Sequence, residues 1–329
     1  MLDLARLQRI RLARRPLGQY LVANLMLSWD YRLPRRTRIE VEGTEHIAED
    51  VPVVFAMNHT DRYNYWPFQY TLYRRGLGFT ATWVKGKYYE NALTAWFLDG
   101  TNNIPMASRG YILSNEFKRC MGHGPSETDY RWLRDLVDGA RPPVVTLDTA
   151  PAAARRLIDA RGGGTLDGFL LWFDGVFDRL IDEIMRIHRQ GVDEERMKFL
   201  VFPQGTRSRR LSQGHTGLVQ VAQHLGLPIV PVGCSGSDAV YPTNSPFSQG
   251  GRIVYRIGAP LAWDGPELAP HRVAEPFRPL SKEAQRHNAA FRAATDIVMA
   301  RIDGLLDEPY RYADDQRSDG VRGVNRFLH

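Results

Sequence analysis

VPVVFAMNHTDRYN, residues 51–64, is an uninterrupted apolar run that breaks abruptly into a polar cluster. A short run without polar alternation is what a strand buried on both faces requires. A histidine and several hydrogen-bonding side chains directly after such a strand occupy the place where α/β proteins hold their ligands. Working outward, residues 38–41, 79–84, 103–106, 198–202, 229–232 and 252–257 carry the same β-rich, turn-bounded pattern. Between them the spacing predicts helices beginning near Trp66 and Pro67, over 88–98, over 217–225, and from an N-cap at Ser281 to about Leu306. Strands alternating with helices predict an α/β fold with a mostly parallel central sheet flanked by helices.

Charge is concentrated at one end. Arginines 6, 9, 11, 14, 15, 32, 35, 36 and 38 face only Asp3 and Asp30, whereas the whole 329-residue chain carries +6. The rest is therefore close to neutral. Residues 1–32 also repeat apolar side chains at helical spacing, among them Leu17, Leu21, Leu25 and Trp29. Basic residues around an apolar helix suit the headgroup region of a bilayer, so residues 1–37 are expected to form amphipathic, membrane-contacting helices. No apolar run reaches the ~20 residues a spanning helix needs, and the N-terminus makes a poor signal peptide. Two cysteines, Cys120 and Cys234, form no disulfide framework and fit a reducing compartment. Zinc-finger spacing and an aromatic-rich basic ribbon are lacking, so no nucleic-acid partner is expected.

Residues 110–197 interrupt the alternation. Helices are expected at 129–137, 152–160 and 168–189, with breaks at Pro142, Pro143 and 162–164. The stretch reads as a helical insertion of about 110–197 within a domain spanning 38–313, followed by a flexible tail at 314–329. The aromatic-rich part (Phe169, Trp172, Phe173, Phe177) is expected to bury its helix against the core.

Five segments, in order, resemble the glycerolipid acyltransferase family, which includes the lysophosphatidate acyltransferases. The family pattern of N-H-x-x-x-x-D, a Lys-bearing segment, an Arg-ended strand, F-P-E-G-T-R-S and a V-P-V-like strand reads here as NHTDRYN (58–64), WVKGKYY (83–89), NNIPMASR (102–109), FPQGTRS (202–208) and IVPV (229–232). The resemblance covers roughly residues 38–260. It implies a glycerol-phosphate acyltransferase-like fold and a 1-acylglycerol-3-phosphate O-acyltransferase-like activity in phospholipid biosynthesis. His59 would deprotonate the acceptor hydroxyl, which attacks a thioester. Arg207, with Lys85 and Arg109, would bind the acceptor's phosphate, and Gln204, Gly205, Thr206 and Ser208 would shape the turn around it. Acyl-CoA or acyl-carrier protein would be a co-substrate, with no bound cofactor and no metal. The partners implied are this donor, a lysolipid acceptor and the membrane surface, with the protein cytoplasmic and peripheral on the inner face of a membrane.

Two departures bear on catalysis. The family's Asp falls at Asn64 and its Glu at Gln204, so both carboxylates are replaced by amides. In a serine protease triad, an Asp→Asn change of this kind costs about 10⁴ in rate, largely through the wrong histidine tautomer. Three readings stay open: Asp61 or another carboxylate orients His59 in place of Asn64; the acceptor is unusual, a more anionic one or another hydroxyl or amine; or the chain is a catalytically impaired lipid-binding member of the same fold. His215, near the Arg207 turn, is an outlying candidate.

Overall fold

The run at 51–57 becomes the middle of a seven-stranded sheet. The computed structural model describes residues 2–139 and 146–318. Its strands are β1 (Thr37–Glu42), β2 (Val54–Met57), β3 (Thr80–Lys85), β4 (Asn103–Met106), β5 (Lys198–Val201), β6 (Ile229–Ser235) and β7 (Gly251–Ile257), in the order β1-β7-β6-β2-β5-β3-β4. Every pairing is parallel except β6 with β7. β1 and β7 therefore run together, opposite to the other five. All seven strands lie within a few residues of where the apolar runs predict them, and the sheet is mostly parallel as expected.

The central strands separate two cores by simple alternation. Val54 and Ala56 of β2 face one cluster, which holds Phe199, Val201, Ile229 and most of the helices. Phe55 and Met57 face the other, with Phe68, Leu72, Val230, Val232 and Tyr255. This is the two-residue period of a strand applied to a sheet covered on both sides.

The helices are α1 (Leu4–Arg9), α2 (Leu17–Leu21), α3 (Ser28–Asp30), α4 (Tyr65–Arg74), α5 (Ala92–Asp99), α6 (Arg109–Met121), α7 (Glu127–Asp138), α8 (Ala152–Gly162), α9 (Leu166–Asp193), α10 (Gly217–His224), α11 (Ser237–Val240) and α12 (Asn288–Gly304). A π-helical turn, Val22–Leu27, joins α2 to α3 without a break. The insertion is helical, as expected, but richer by one element. The strand expected at 103–106 is found there; beyond it Ser108 caps α6 by accepting the Tyr111 amide, so Arg109, placed by the family resemblance at the end of a strand, opens a helix. Phe169, Phe173 and Phe177 of α9 are buried, which fits the packing role expected of them. Pro142, Pro143 and the tail beyond Ser318 lie outside the described residues.

The C-terminal helix departs from expectation. Ser281 Oγ accepts the Ala284 amide, capping only the tight turn Ala284–His287. His287 then leaves helical backbone (φ −101°, ψ 16°), so α12 starts at Asn288 and ends at Gly304.

The N-terminal stretch divides into two parts. Leu2, Leu7, Ile10 and Leu12 are buried in the first core. Arg186 of α9 donates to Leu7 O (2.9 Å), and Gln190 accepts from the Leu12 amide (2.9 Å). These residues belong to the domain itself. The continuous helix from Leu17 to Asp30 is inverted relative to an ordinary surface helix. It buries Gln19, Ala23, Leu27 and Asp30, while Leu17 (72% exposed), Leu21, Leu25 and Trp29 (64% exposed) line up outward at intervals of four, followed by exposed Leu33. Gln19 donates to Thr80 O (3.1 Å), and Asp30 accepts the Ser248 amide (3.0 Å), so its inward polar groups are satisfied by the domain. No helix among the described residues is long and apolar enough to cross a membrane.

Candidate active site

β2 delivers the site from the sheet's carboxyl edge. Asn58, its first residue beyond the strand, donates to Cys234 O (2.9 Å) and accepts the Cys234 amide (2.7 Å), locking the turn to β6. His59 follows. Its N–H donates to Gln204 Oε1 (2.9 Å), and its carbonyl accepts the Ser208 amide (2.8 Å). The loops after β2 and β5 are thus laced together around one residue. The imidazole stacks on Phe202, ring centres 4.0 Å apart and 16° from parallel.

His59 Nδ1 lies 3.2 Å from Asn64 Oδ1, and Asn64 Nδ2 donates to Asn58 O (2.8 Å). The Tyr255 hydroxyl donates to Asn64 O (2.6 Å), and Asn64 is completely buried. Burial pushes the His59 pKa down to about 3; the bond to Asn64 opposes this, while Arg207 and Lys85 push the same way. The ring is therefore neutral near physiological pH, and the same burial makes it a weaker base than a free imidazole.

Asp61, expected as a replacement partner for His59, turns elsewhere. One carboxylate oxygen accepts the Thr60 hydroxyl (2.9 Å), and the other accepts the Tyr63 amide (2.8 Å). The physical reason is local: an aspartate two residues before a free amide closes an Asx turn on its own backbone. Burial raises its pKa to about 6.

The Phe202–Ser208 turn sorts its residues by depth. Gly205 takes a left-handed backbone (φ 65°), and a Cβ there would meet His215 Cδ2 at 2.9 Å. Gln204, expected near the substrate's phosphate, is instead a buried brace. Its Oε1 holds the His59 amide while its Nε2 donates to Ser212 Oγ (3.1 Å). A carboxylate, which only accepts, could not make the second bond. Ser208 is likewise buried beneath the turn. Thr206 is exposed, and Arg207 is partly so. Arg207 and Lys85 make no ion pair among the described residues, yet each stands close enough to act electrostatically on the other and on His59.

Arg109 does not join them. It pairs with Asp174 (2.8 Å) and Asp138 (3.7 Å), donates to Val137 O (2.7 Å), and lies over the rings of Phe173 and Phe177. Its charge is already balanced, and the expectation that it serves the acceptor's phosphate is corrected to a clamp between α6, α7 and α9. The sequence could not show this, because Asp174 lies 65 residues away.

A cleft of about 1490 Å³ opens between this turn and the insertion, lined by Lys85, Phe202, Gly205, Thr206 and His215 on one side and by α6 and α7 on the other. Sequence reasoning named His215 only as an outlying candidate. It missed Phe202 as the stacking partner of His59 and Asn58 as the residue that orients Asn64; for Asn58 the signal was its place between strand and histidine. Among the described residues, no group of three or more His, Cys, Asp or Glu side chains gathers where it could hold a metal ion.

Residues 177–235 match the model of the acyltransferase family. This segment runs from within α9 through β5, the Phe202–Ser208 turn and α10 to the end of β6, so it contains the Arg207 turn and stops short of His59. No curated protein matches the chain in sequence. Among solved structures, the chain is similar to the crystal structure of the 1-acyl-sn-glycerophosphate (LPA) acyltransferase PlsC from Thermotoga maritima, at 16% identity, over 91% of this chain and 86% of that one, with a TM-score of 0.39. So loose a likeness transfers no residue roles.

Proposed function

From an acyltransferase-family segment that lines part of the cleft, we propose that this chain moves an acyl group from a thioester, acyl-CoA or acyl-carrier protein, to the hydroxyl of a phosphate-bearing lysolipid such as lysophosphatidate. One observation carries the reading: a neutral histidine, held at Nδ1, lies within electrostatic reach of two cations, Arg207 and Lys85, that make no ion pair among the described residues. Unpaired cations beside a base suit an anionic substrate whose nearby hydroxyl must be activated.

The reaction balances with these groups alone. His59 Nε2 takes the proton of the acceptor hydroxyl as its oxygen bonds to the thioester carbonyl carbon. The tetrahedral adduct collapses, the carbon–sulfur bond breaks, and the departing thiolate takes the proton back from the imidazolium. Arg207 and Lys85 hold the phosphate throughout. The products are an ester and a free thiol.

One observation favours a second reading, a lipid-binding member that has lost catalysis: no carboxylate hydrogen-bonds His59 among the described residues. An acceptor with another hydroxyl or an amine is a further outcome. Labelled acyl-CoA and acyl-carrier protein, offered with a panel of lysolipids and glycerol 3-phosphate, separate these by mass spectrometry. A product made by the parent and lost in His59→Ala supports acyl transfer and names the acceptor. No product from any pairing, by folded and lipid-bound protein, turns the assignment to binding alone.

The same reading places the protein on the inner face of a membrane through the outward side of the Leu17–Asp30 helix. Its support is a row of exposed Leu and Trp beside Arg32, Arg35 and Arg36, which are exposed and make no ion pair among the described residues.

A further inference from the structure

Asn64 stands where a carboxylate is expected, and its surroundings are made for an amide. The partner of its second functional atom is a main-chain carbonyl, Asn58 O, at 2.8 Å. A carbonyl only accepts, so the Asn64 atom facing it must be the NH₂. The atom facing His59 Nδ1, at 3.2 Å, is then Oδ1. That oxygen also only accepts, so the proton of the neutral imidazole sits on Nδ1. Nε2 keeps its lone pair.

The chain of constraint continues outward. Asn58 O belongs to a residue whose own side chain is tied to both main-chain atoms of Cys234. The Asn64 backbone is held by the Tyr255 hydroxyl. Neither end of the amide is free to flip. In a serine protease triad, Asp→Asn fails largely because the new amide settles the histidine in the wrong tautomer. Here an external carbonyl removes that failure. An aspartate at position 64 would instead bring an oxygen against Asn58 O.

We propose that Asn64 is a positioning residue whose amide, oriented by the main-chain carbonyl of Asn58, locks His59 in the Nδ1–H tautomer and leaves Nε2 as the base. The lock stands on geometry alone; its catalytic consequence rests on the acyl-transfer reading above.

Two measurements test it. Two-bond proton–nitrogen correlation on ¹⁵N-histidine protein at pH 7 reads the tautomer directly, without substrate. His59 is assigned by the signal lost in His59→Gln. His188 supplies an internal reference, because its Nδ1 faces Ile184 O (2.7 Å) and its Nε2 accepts from Trp83 (2.7 Å), which fixes the same tautomer. The expected result is an Nδ1–H pattern for His59 that becomes a mixture in Asn64→Ala. An Nε2–H pattern in the parent, or an unchanged pattern in Asn64→Ala, overturns the proposal.

Kinetics give the second measurement. Asn64→Ala should lower kcat about 10–100-fold with little change in KM, since general-base geometry and not binding is lost. Asn64→Asp should fail to raise kcat. A tenfold gain in Asn64→Asp would mark Asn64 as an eroded aspartate and overturn the proposal. If no acyl transfer is found at all, the proposed function falls while the tautomer measurement still decides the lock.

Discussion

Arg207 and Arg109 are both drawn from family-like motifs, and the fold gives them opposite work. Arg207 is partly exposed without an ion pair among the described residues; Arg109 is spent on Asp174, Asp138 and Val137 O. Arg207→Ala should therefore raise KM for phosphate-bearing acceptors about 10–100-fold, the size of one lost charge-assisted contact. Arg109→Ala should leave that KM in place and instead destabilise the fold by about 1–3 kcal/mol, by leaving Val137 O unmatched and removing the cation that ties together Asp138 and Asp174, which among the described residues keep only Arg134 and Lys282. Parallel acceptor titrations and urea melts of the two variants check this; equal KM effects would return Arg109 to the phosphate. Asn64 and Gln204 teach a similar lesson. Their amide chemistry was legible from the sequence, but the carbonyl and hydroxyl that use the extra donor, Asn58 O and Ser212 Oγ, were not.

At the scale of elements, the helix from Leu17 to Asp30 shows why pattern alone misleads. Its periodicity is plain in the sequence, and periodicity normally marks the face turned inward. Here the inward face carries Gln19 and Asp30, because Thr80 O and the Ser248 amide lie ready to bond them. The leucines are turned out. Replacing Leu21, Leu25 and Trp29 together with Ser should abolish flotation with anionic vesicles while leaving the melting temperature unchanged or higher. Retained flotation would sink the membrane assignment, and a fall of several degrees would show the row to be packed. Residues 2–12 should behave differently: deleting them exposes α9 and costs stability. The insertion follows the opposite course. Its helices were expected from residue 129 onward, yet α6 was missed, since the cap that starts it is the hydrogen bond of Ser108 to the Tyr111 amide.

The whole molecule buries several titratable groups, and their linkage predicts its pH response. His188 is held neutral, its pKa pushed down to about 4 by burial, and His59 follows to about 3. Unfolded histidine titrates near 6.5, so between the two values the unfolded chain binds more protons. This stabilisation is complete above pH ~6.5 and fades as pH falls toward 4; for His188 it amounts to about 3 kcal/mol at most. Asp61 acts in the reverse sense. Its pKa is raised to about 6, so its favourable, protonated form is complete below about 3.8 and is lost as pH rises through 6. Two histidines outweigh one aspartate, and the urea midpoint should fall between pH 7 and pH 5. His188→Gln should flatten that fall and Asp61→Asn should steepen it. Identical slopes in all three proteins would refute the linkage.

The seven strands and the mostly parallel sheet were determined by the sequence pattern, while the closeness of His59 to the Arg207 turn was implied by the family resemblance. Strands buried on both faces must be continuously apolar, and polar clusters at their ends cannot be core. Strand order, the reversal of β1 and β7, the inverted helix, the pairing of Arg109 and the direction of the Asn64 amide were decided only by tertiary structure. Each depends on which donor, acceptor or charge a distant segment brings within about 3 Å, a distance at which hydrogen-bond geometry selects among side-chain states that local pattern leaves equivalent.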